Sequence, residues 1–587
     1  MLKKFIGMIC CLAFTHAAIS QDAKFPSYSE LPDPYRPDSE AWDTLNSGTY
    51  VSFGSPDIRY PKSIPPKILK NDWQAHAWRG ERVHTQLLIW GTEPLLELSV
   101  MPGGLKTGSG DSIPTENIKV GFLRYVMTDE LNENGGGCGH RPDKTKFDSS
   151  LVADAIDYAP STRVRANKTQ PIWLSIDVPG NTKPGIYHGS LRIKTGERKY
   201  YPSFVNYSIV VSEHTLPSPD QWTFHLDLWQ SPEAIARLYE VKPWSKEHFD
   251  AMKPYFKMLA DAGQKVITAA IIHDPWNSQT QDIFGSTVRW TKKKDGSWQY
   301  DFSRFDKWVN FMMECGIKKQ INCYSMIPWN LKFYYYDESI AKDTFIVAQP
   351  GTKEFNTHWK PMLSSFAKHL KAKGWFDITN ISMDERKMED MLAVMKLVHE
   401  VDKTWKVSLA GTLHKELIDE VYDYCIASGQ LMDRADIEKR LAKGWPTTNY
   451  TCCTEGYPNT FTFSPPAEAA WLPWYSAAKG YNGYLRWAYN NWVEDPMQDS
   501  RFRTWAAGDC YFVYPGTRTS IRFERLREGI QDYEKIQILK KLFKKEKNGE
   551  KLAQLEALLA PFNIKDLPNV SAARMLEKAK KGLAGLE

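Results

Sequence analysis

The chain has 587 residues, with 75 Lys and Arg against 70 Asp and Glu, which gives a formal net charge of +5. This small excess is spread along the chain, so it excludes the dense basic surface of a nucleic-acid-binding protein. The length is too great for a single hydrophobic core and predicts two or three domains. Aromatic residues are abundant, with 22 Trp, 28 Tyr and 26 Phe, and rings of this kind often stack on sugars in secreted proteins.

The first twenty residues are typical of a secretory signal peptide. Two lysines precede an apolar run over residues 5–14, and the small residues Ala18 and Ser20 suit cleavage before Gln21. The run is too short to span a bilayer. A lipoprotein is the weaker alternative, because Cys10 does not follow small residues. We therefore expect an exported protein, periplasmic or extracellular.

Residues 21–215 predict a β-sandwich domain. Short runs alternate between apolar and polar residues and are separated by Gly, Pro, Asn and Asp, as in RVHTQLLIW (82–90) and QPIWLSIDV (170–178). Period-two strands with turn residues between them are typical of this fold. LPSPDQ (216–221) then interrupts the pattern and is interpreted as a linker.

Residues 222–520 predict a (β/α)₈ barrel of the TIM type, because strand-like runs now alternate with helical patterns. Helices are expected at 247–263, 305–316 and 386–401. The fifth and sixth strands are the least distinct. The eight candidate strands cover residues 224–230, 265–273, 318–326, 376–385, 406–414, 422–427, 448–456 and 484–492.

The tail, residues 521–587, is helical in pattern and rich in charge, so we expect solvated helices packed on the side of the barrel. Nine cysteines, two of them in the leader, lack the spacing of a disulfide framework. Adjacent Cys452 and Cys453 also lack the CxxC spacing of a zinc site and are interpreted as packing residues. No HExxH or similar ligand spacing occurs in the barrel, and we predict neither a metal nor a cofactor.

Polar and aromatic residues follow the candidate strands, at the face where barrel enzymes carry their active sites. Carboxylates, imidazoles and indoles together suit sugar hydrolysis, in which carboxyl groups transfer protons and rings hold the pyranose. The alternative for each ring is packing at the top of the barrel. The substrate-binding candidates are Asp227, His273, Trp329, His414, Tyr450, Trp487, Tyr489 and Asn490.

The acidic pair Asp384-Glu385 is the catalytic candidate because it ends the apolar run FDITNISM and opens a helical pattern. Successive strand residues point to opposite faces, so both acids serve one site only where the strand ends and the backbone turns. The alternative is that the two acids favour the N-terminus of the following helix.

Two carboxylates at neighbouring positions do not fit an ordinary glycosidase. In such an enzyme the two carboxylates come from different strands and face each other across the glycosidic bond. Neighbouring carboxylates suit a mechanism in which a 2-acetamido sugar supplies its own nucleophile and forms an oxazoline. One carboxylate would then orient the acetamido N–H, and the other would protonate the leaving oxygen and later deprotonate water.

Several segments resemble glycoside hydrolase family 123. NISMDERKMEDM (380–391), YLRWAYNNWVEDP (484–496), DCYFVYPG (509–516) and RFERLREGIQDYE (522–534) carry the resemblance in the barrel and tail, and AWRGERVHTQLLIW (77–90) carries it in the sandwich. The family consists of exo-acting retaining β-N-acetylgalactosaminidases that use substrate assistance.

The resemblance implies that Glu385 is the general acid/base and that Asp384 orients the acetamido group. Analogy with other substrate-assisted enzymes adds a tyrosine that donates to the acetamido oxygen, either Tyr450 or Tyr489. The expected partner is a glycan with a terminal β-linked N-acetylgalactosamine, and the preference for galacto over gluco configuration rests on the resemblance alone.

Two alternatives remain. The first is a two-carboxylate glycosidase that uses acids such as Asp227, Glu455 or Asp495. The second is a catalytically silent sugar-binding or scaffold protein.

Overall fold

The computed structural model describes residues 24–25, 29–35, 39–67, 69–129, 143, 146–147, 149–196 and 204–587. The predicted signal peptide lies outside the described residues. No helix among these ranges is long and apolar enough to cross a membrane.

The amino-terminal part is a two-sheet β-structure, as the alternating pattern predicts. One sheet has the order β1-β3-β10-β7-β8, and the other has the order β2-β12-β11-β4-β9 with β5 and β6 attached to it. Apolar side chains such as Leu87, Phe122 and Ile209 fill the space between the sheets. The elements are α1 (Ser39–Asp43), β1 (Thr49–Gly54), β2 (Asp72–Arg79), β3 (Arg82–Gly91), β4 (Leu95–Pro102), β5 (Leu105–Lys106), β6 (Ser112–Ile113), β7 (Ile118–Thr128), β8 (Ser150–Asp157), β9 (Thr162–Val164), β10 (Lys168–Asp177), β11 (Gly185–Thr195) and β12 (Phe204–Thr215).

The rest of the chain forms an eight-stranded parallel barrel with helices around it. The elements are β13 (His225–Leu228), α2 (Pro232–Tyr239), α3 (Lys246–Ala260), β14 (Val266–Ala270), β15 (Arg289–Lys292), β16 (Trp298–Asp301), α4 (Ser303–Glu314), β17 (Gln320–Tyr324), β18 (Lys332–Asp337), β19 (Lys342–Val347), α5 (Lys353–Lys373), β20 (Thr379–Met383), α6 (Met388–Val401), β21 (Lys406–Gly411), β22 (Asp423–Ala427), α7 (Arg434–Ala442), β23 (Thr447–Tyr450), α8 (Pro466–Lys479), β24 (Gly483–Arg486), β25 (Thr519–Ser520), α9 (Ile521–Lys545), α10 (Gly549–Leu559) and α11 (Ala572–Ala584).

Each of the eight predicted barrel strands is confirmed, including the indistinct fifth and sixth. The sheet order is β13-β24-β23-β22-β21-β20-β17-β14, and a bridge between Leu226 and Gln264 links its two ends. The strands are buried on both faces, which explains their nearly continuous apolar character. In β20, for example, Ile381 and Met383 pack in the main core, while Ser382 hydrogen-bonds Ser408 at 2.6 Å.

A four-stranded sheet, β16-β15-β18-β19, was not predicted. Its strands come from the segments that follow barrel strands β14 and β17, so they extend two of the loops on the carboxyl-terminal side of the barrel. Its inner face packs on α5 through rings such as Trp290, Phe333 and Trp359.

The prediction of solvated tail helices is wrong for α9, whose first half is buried. Its charged side chains form ion pairs with the sandwich: Arg522 lies 3.0 Å from Asp154. Arg518, just before the helix, lies 2.9 Å from Asp157. Strand β25 also pairs with β8. Charge in this segment therefore marks an interface between domains rather than a surface in water.

One further correction concerns the cysteine pair. Cys453 is disulfide-bonded, whereas Cys452 is a free thiol. The interpretation of both residues as packing residues is therefore wrong for Cys453.

Candidate active site

The acidic pair lies in the turn between β20 and α6. The strand ends at Met383 and the helix begins at Met388, so Asp384 and Glu385 lie in a non-regular segment. The alternation of a strand no longer applies there, and both residues line the same cavity, which has a volume of about 340 Å³. The alternative, that both acids only favour the N-terminus of the following helix, does not explain why both line one cavity.

Asp384 is a largely buried carboxylate that is paired with the residue two positions further on. Its side chain is 13% exposed, and Oδ1 lies 2.8 Å from Nη2 of Arg386. Burial raises the pKa of Asp384, and the Arg386 guanidinium opposes that effect. Neither of these two atoms makes an aligned hydrogen bond with the described residues. Oδ1 is buried against Arg386, so a ligand in the cavity reaches Asp384 through the exposed part of its carboxylate.

Glu385 is exposed to the cavity and accepts a short hydrogen bond at Oε1 from the Tyr450 hydroxyl. Tyr450 ends β23 and is buried. Burial raises the pKa of Tyr450, and the neighbouring Glu385 charge raises it further, so this hydroxyl stays protonated as a donor. The acid/base candidate is thus held by a neutral hydrogen-bond donor from another strand.

Indole rings form the walls of this cavity. Trp487 is fixed by a hydrogen bond from its Nε1 to Asp509 at 3.0 Å and packs edge-on against Trp505 at 5.2 Å. Trp229 and Trp276 line the same cavity, and their ring centroids lie 5.2 Å apart. Nε1 of Trp276 is buried and has no hydrogen-bond partner among the described residues. The cavity combines apolar faces with a few polar atoms, as sugar sites do.

A second cavity, of about 520 Å³, lies on the other side of Glu385. Glu385 and Trp329 line both cavities, whereas His414 lines only the second. Four sequence-derived candidates, Trp329, His414, Tyr450 and Trp487, therefore lie at these two cavities.

Two of the other candidates lie elsewhere because of strand geometry. Asp227 is in the middle of β13 rather than at its end, and its side chain is 2% exposed inside the barrel, near Asn322. Burial, followed by the charge of Asp423, raises its pKa well above the usual range. His273 lines a separate cavity of about 370 Å³ beside Tyr334.

The remaining two lie beyond the end of β24, which stops at Arg486. Tyr489 is fully buried and donates to the Tyr255 carbonyl at 2.9 Å. Asn490 forms two hydrogen bonds with the Ser231 backbone, at 2.8 and 3.0 Å. Both anchor the barrel wall and do not reach either cavity, so Tyr450 is the tyrosine near the acidic pair.

We call the cavity of about 340 Å³ that Asp384 and Glu385 line the catalytic cavity, after the role predicted for this pair. The carboxylates of the two-acid alternative lie away from it. Asp227 is inside the barrel, and neither Glu455 nor Asp495 lines the cavity. Glu455 instead accepts the Cys452 backbone N–H at 2.9 Å. Asp384 and Glu385 are thus the only carboxylates among the described residues of its wall.

Sequence reasoning missed Arg386 and Trp505. Arg386 directly follows the acidic pair, and a cation beside a buried carboxylate was a signal that could have been used. Trp505 lies in an irregular segment after β24, and no local pattern points to it. No group of three or more His, Cys, Asp or Glu suited to a metal occurs among the residues that the structure describes.

Two family models match most of this chain. The model of the glycoside hydrolase 123 catalytic domain matches residues 229–539, and the glycoside hydrolase 123 N-terminal domain matches residues 53–195. The chain belongs to glycoside hydrolase family 123. Both cavities lie within the part that matches the catalytic domain.

One solved structure of a family 123 enzyme is similar to this chain over most of its length. A family 123 glycoside hydrolase from Clostridium perfringens, described in relation to glycolipid glycan hydrolysis, has 28% sequence identity and a TM-score of 0.82. The alignment covers 92% of this chain and 98% of that chain. The macrocyclization enzyme AvmM has 9% identity and a TM-score of 0.16, covering 29% of this chain and 93% of its own. A PapD-like domain of human CEP192 has 10% identity and a TM-score of 0.14, covering 32% and 98%.

The last two likenesses are too weak to carry an argument. A search of curated proteins found no match. The resemblance to family 123 inferred from the sequence motifs is confirmed by both domain models.

Proposed function

We propose that this family 123 glycoside hydrolase is an exo-acting, retaining β-N-acetylgalactosaminidase that uses substrate assistance. The observation that carries the proposal is the composition of the catalytic cavity. Its described wall holds one adjacent acidic pair and no carboxylate opposite that pair. A double displacement needs a second carboxylate about 5 Å across the bond, and its absence from the described wall supports a nucleophile that comes from the substrate.

In the first step, the acetamido carbonyl oxygen attacks the anomeric carbon while the glycosidic C–O bond breaks. Glu385 gives its proton to the leaving oxygen, and an oxazolinium ion forms. The Asp384 carboxylate accepts the acetamido N–H and balances the positive charge. The buried position of Asp384 strengthens this interaction, because water screens it little.

In the second step, water attacks the anomeric carbon and gives a proton to Glu385. The bond between the carbonyl oxygen and the anomeric carbon then breaks, and the acetamido group is restored. Two inversions give net retention. The Tyr450 hydroxyl has one proton, which it donates to Glu385 in this structure. When the substrate binds, that proton turns to the acetamido oxygen, as expected for substrate-assisted enzymes.

The experiment compares 4-nitrophenyl β-N-acetylgalactosaminide with the plain β-galactoside. The plain sugar has no acetamido nucleophile, so substrate assistance predicts turnover of the first alone and inhibition by an oxazoline-mimicking thiazoline. Equal rates on the two substrates would instead support a two-carboxylate mechanism. Sugar affinity without turnover of any N-acetylhexosaminide would support the silent binding protein.

The gluco-configured N-acetyl substrate is the matched test for the sugar itself. A faster reaction of the galacto form supports the N-acetylgalactosamine assignment. The Clostridium perfringens enzyme is described in relation to glycolipid glycans, and we propose the same class of glycan as the substrate here. We also propose export, which amino-terminal sequencing of the mature protein tests through a start at Gln21.

A further inference from the structure

We propose that the second cavity is the leaving-group subsite and that Trp329 is the platform on which the leaving sugar stacks. This inference rests on the proposed function. We call this space, lined by Trp329, Gln349, Glu385, Arg386 and His414 among others, the leaving-group cavity.

The position of Glu385 decides which sugar lies where. The acid has to be within about 2.6–3.2 Å of the oxygen that it protonates, so the glycosidic bond lies beside Glu385. Asp384 lines the catalytic cavity and does not line the leaving-group cavity. The acetamido sugar therefore occupies the catalytic cavity, and the group beyond the glycosidic oxygen extends into the other.

Trp329 is built to serve as a fixed surface between the two spaces. The residue is 47% exposed, and the Arg386 guanidinium lies 4.0 Å from the ring centroid on one side. Such a cation over an indole is a favourable contact. An exposed tryptophan with one supported face has its other surface available for a ligand.

Arg386 is itself held firmly. Its Nε donates to the Ile327 carbonyl at 2.8 Å, and its Nη1 donates to the Glu385 carbonyl at 2.7 Å. The third contact of the guanidinium is Asp384. The platform is thus preorganised by the same side chain that pairs with the catalytic aspartate, which lowers the entropy lost on binding.

The chemistry of the wall suits a pyranose. The apolar C–H face of a sugar ring packs on the indole, and its hydroxyls meet polar groups at the rim, such as His414. The amide of Gln349 is already committed to Asp390 at 2.5 Å, so its position in the wall is fixed. The ligand is therefore the hexose next to the cleaved bond, in an oligosaccharide or a glycolipid head group.

The test uses two substrates with the same N-acetylgalactosaminyl group. One is the β-glycosyl fluoride, which has no leaving sugar, and the other is a disaccharide in which β-N-acetylgalactosamine is linked to galactose. Trp329→Ala should lower kcat/KM for the disaccharide about 10- to 200-fold, the range for a lost pocket contact, and change that for the fluoride less than about threefold. Trp329→Phe, which keeps a ring, should recover much of the loss.

Phe204→Ala is the matched control, because Phe204 is an exposed ring (55%) on the sandwich; both substrates should react as with wild type. Equal losses on the fluoride and the disaccharide would overturn the proposal, as would no loss on the disaccharide. If wild type hydrolyses glycosides of another sugar only, the proposed function fails. In that case, kcat/KM of wild type and Trp329→Ala is compared on the fluoride and the disaccharide of that sugar. This comparison tests the role of Trp329 independently of the proposed function.

Discussion

Removing the Arg386 charge should move the acid limb of the pH–rate profile to higher pH. Arg386→Met keeps an apolar stem against Trp329 but leaves Asp384 without its cation. Burial already raises the pKa of Asp384, and Arg386 is the group that opposes it. Without that charge the pKa rises further, so the carboxylate needed for the acetamido N–H is present only at higher pH.

The structure sets the size of the effect. The two side chains are 7% and 13% exposed and their charged atoms are 2.8 Å apart. At an effective dielectric constant of about 20, this separation gives an attraction of about 6 kcal/mol. Desolvation of both groups offsets part of it, and loss of one partner from a buried pair costs about 3–5 kcal/mol.

Only part of this lost pairing energy raises the activation free energy, because the substrate N–H pairs with Asp384 in the transition state. We expect kcat/KM at pH 5 to 6 to fall about 10- to 100-fold, since about 1.4 kcal/mol corresponds to a factor of ten in rate. Activity should recover toward wild type as the pH is raised, because the carboxylate is then ionised again.

The assay is kcat/KM for 4-nitrophenyl β-N-acetylgalactosaminide over the full pH range. Arg386→Lys keeps the charge and should shift the acid limb less. Lys396→Met removes the same charge from an exposed residue of α6 that lines neither cavity and should leave the acid limb in place. A uniform loss at every pH with an unshifted acid limb would refute the electrostatic role of Arg386.

Three further predictions concern the acids. Glu385→Gln should lose far less activity on substrates with good leaving groups, which need little protonation, whereas Asp384→Asn should lose activity on activated and unactivated substrates alike; identical patterns for the two variants would contradict their roles. Asp154→Asn should destabilise the protein by about 3–5 kcal/mol, because it leaves Arg522 buried without its anion. Although burial disfavours its charge, Arg522 and Arg59 hold the pKa of Asp154 below the usual range. The ionised Asp154 therefore contributes its full stabilisation above the unfolded pKa of about 3.9, and this stabilisation is lost as the pH falls below that value. The denaturant midpoints of wild type and Asp154→Asn should converge at such low pH. A difference in midpoint that stays constant with pH would count against the ion pair. Asp227→Asn should raise the Tm at pH 8 and not at pH 4. Burial and Asp423 raise the pKa of Asp227 in the folded protein, so this carboxyl group lowers the free energy of unfolding only at pH values where it is ionised in the unfolded chain. An unchanged or lower Tm at pH 8 would show that the carboxyl group is needed in the barrel core.

The sequence by itself determined the order of the domains and the eight barrel strands, because period and turn residues are local properties. It also determined that Asp384 and Glu385 lie at the carboxyl end of a strand, since the apolar run before them stops there. The tail helix is different: its charges are locally indistinguishable from a solvated face, and only the sandwich packed against it turns Arg522 and its neighbours into a buried interface.

Tertiary structure alone decided which strand-end residues reach the site. Asp227 and Tyr489 have the right residue types, but one lies below the end of its strand and the other beyond a strand that stops at Arg486. The support of Trp329 by Arg386, and of Glu385 by Tyr450, joins residues from different barrel strands. Such contacts depend on how the strands close into a barrel. The spacing of residues along the chain does not encode the distance between side chains on different strands.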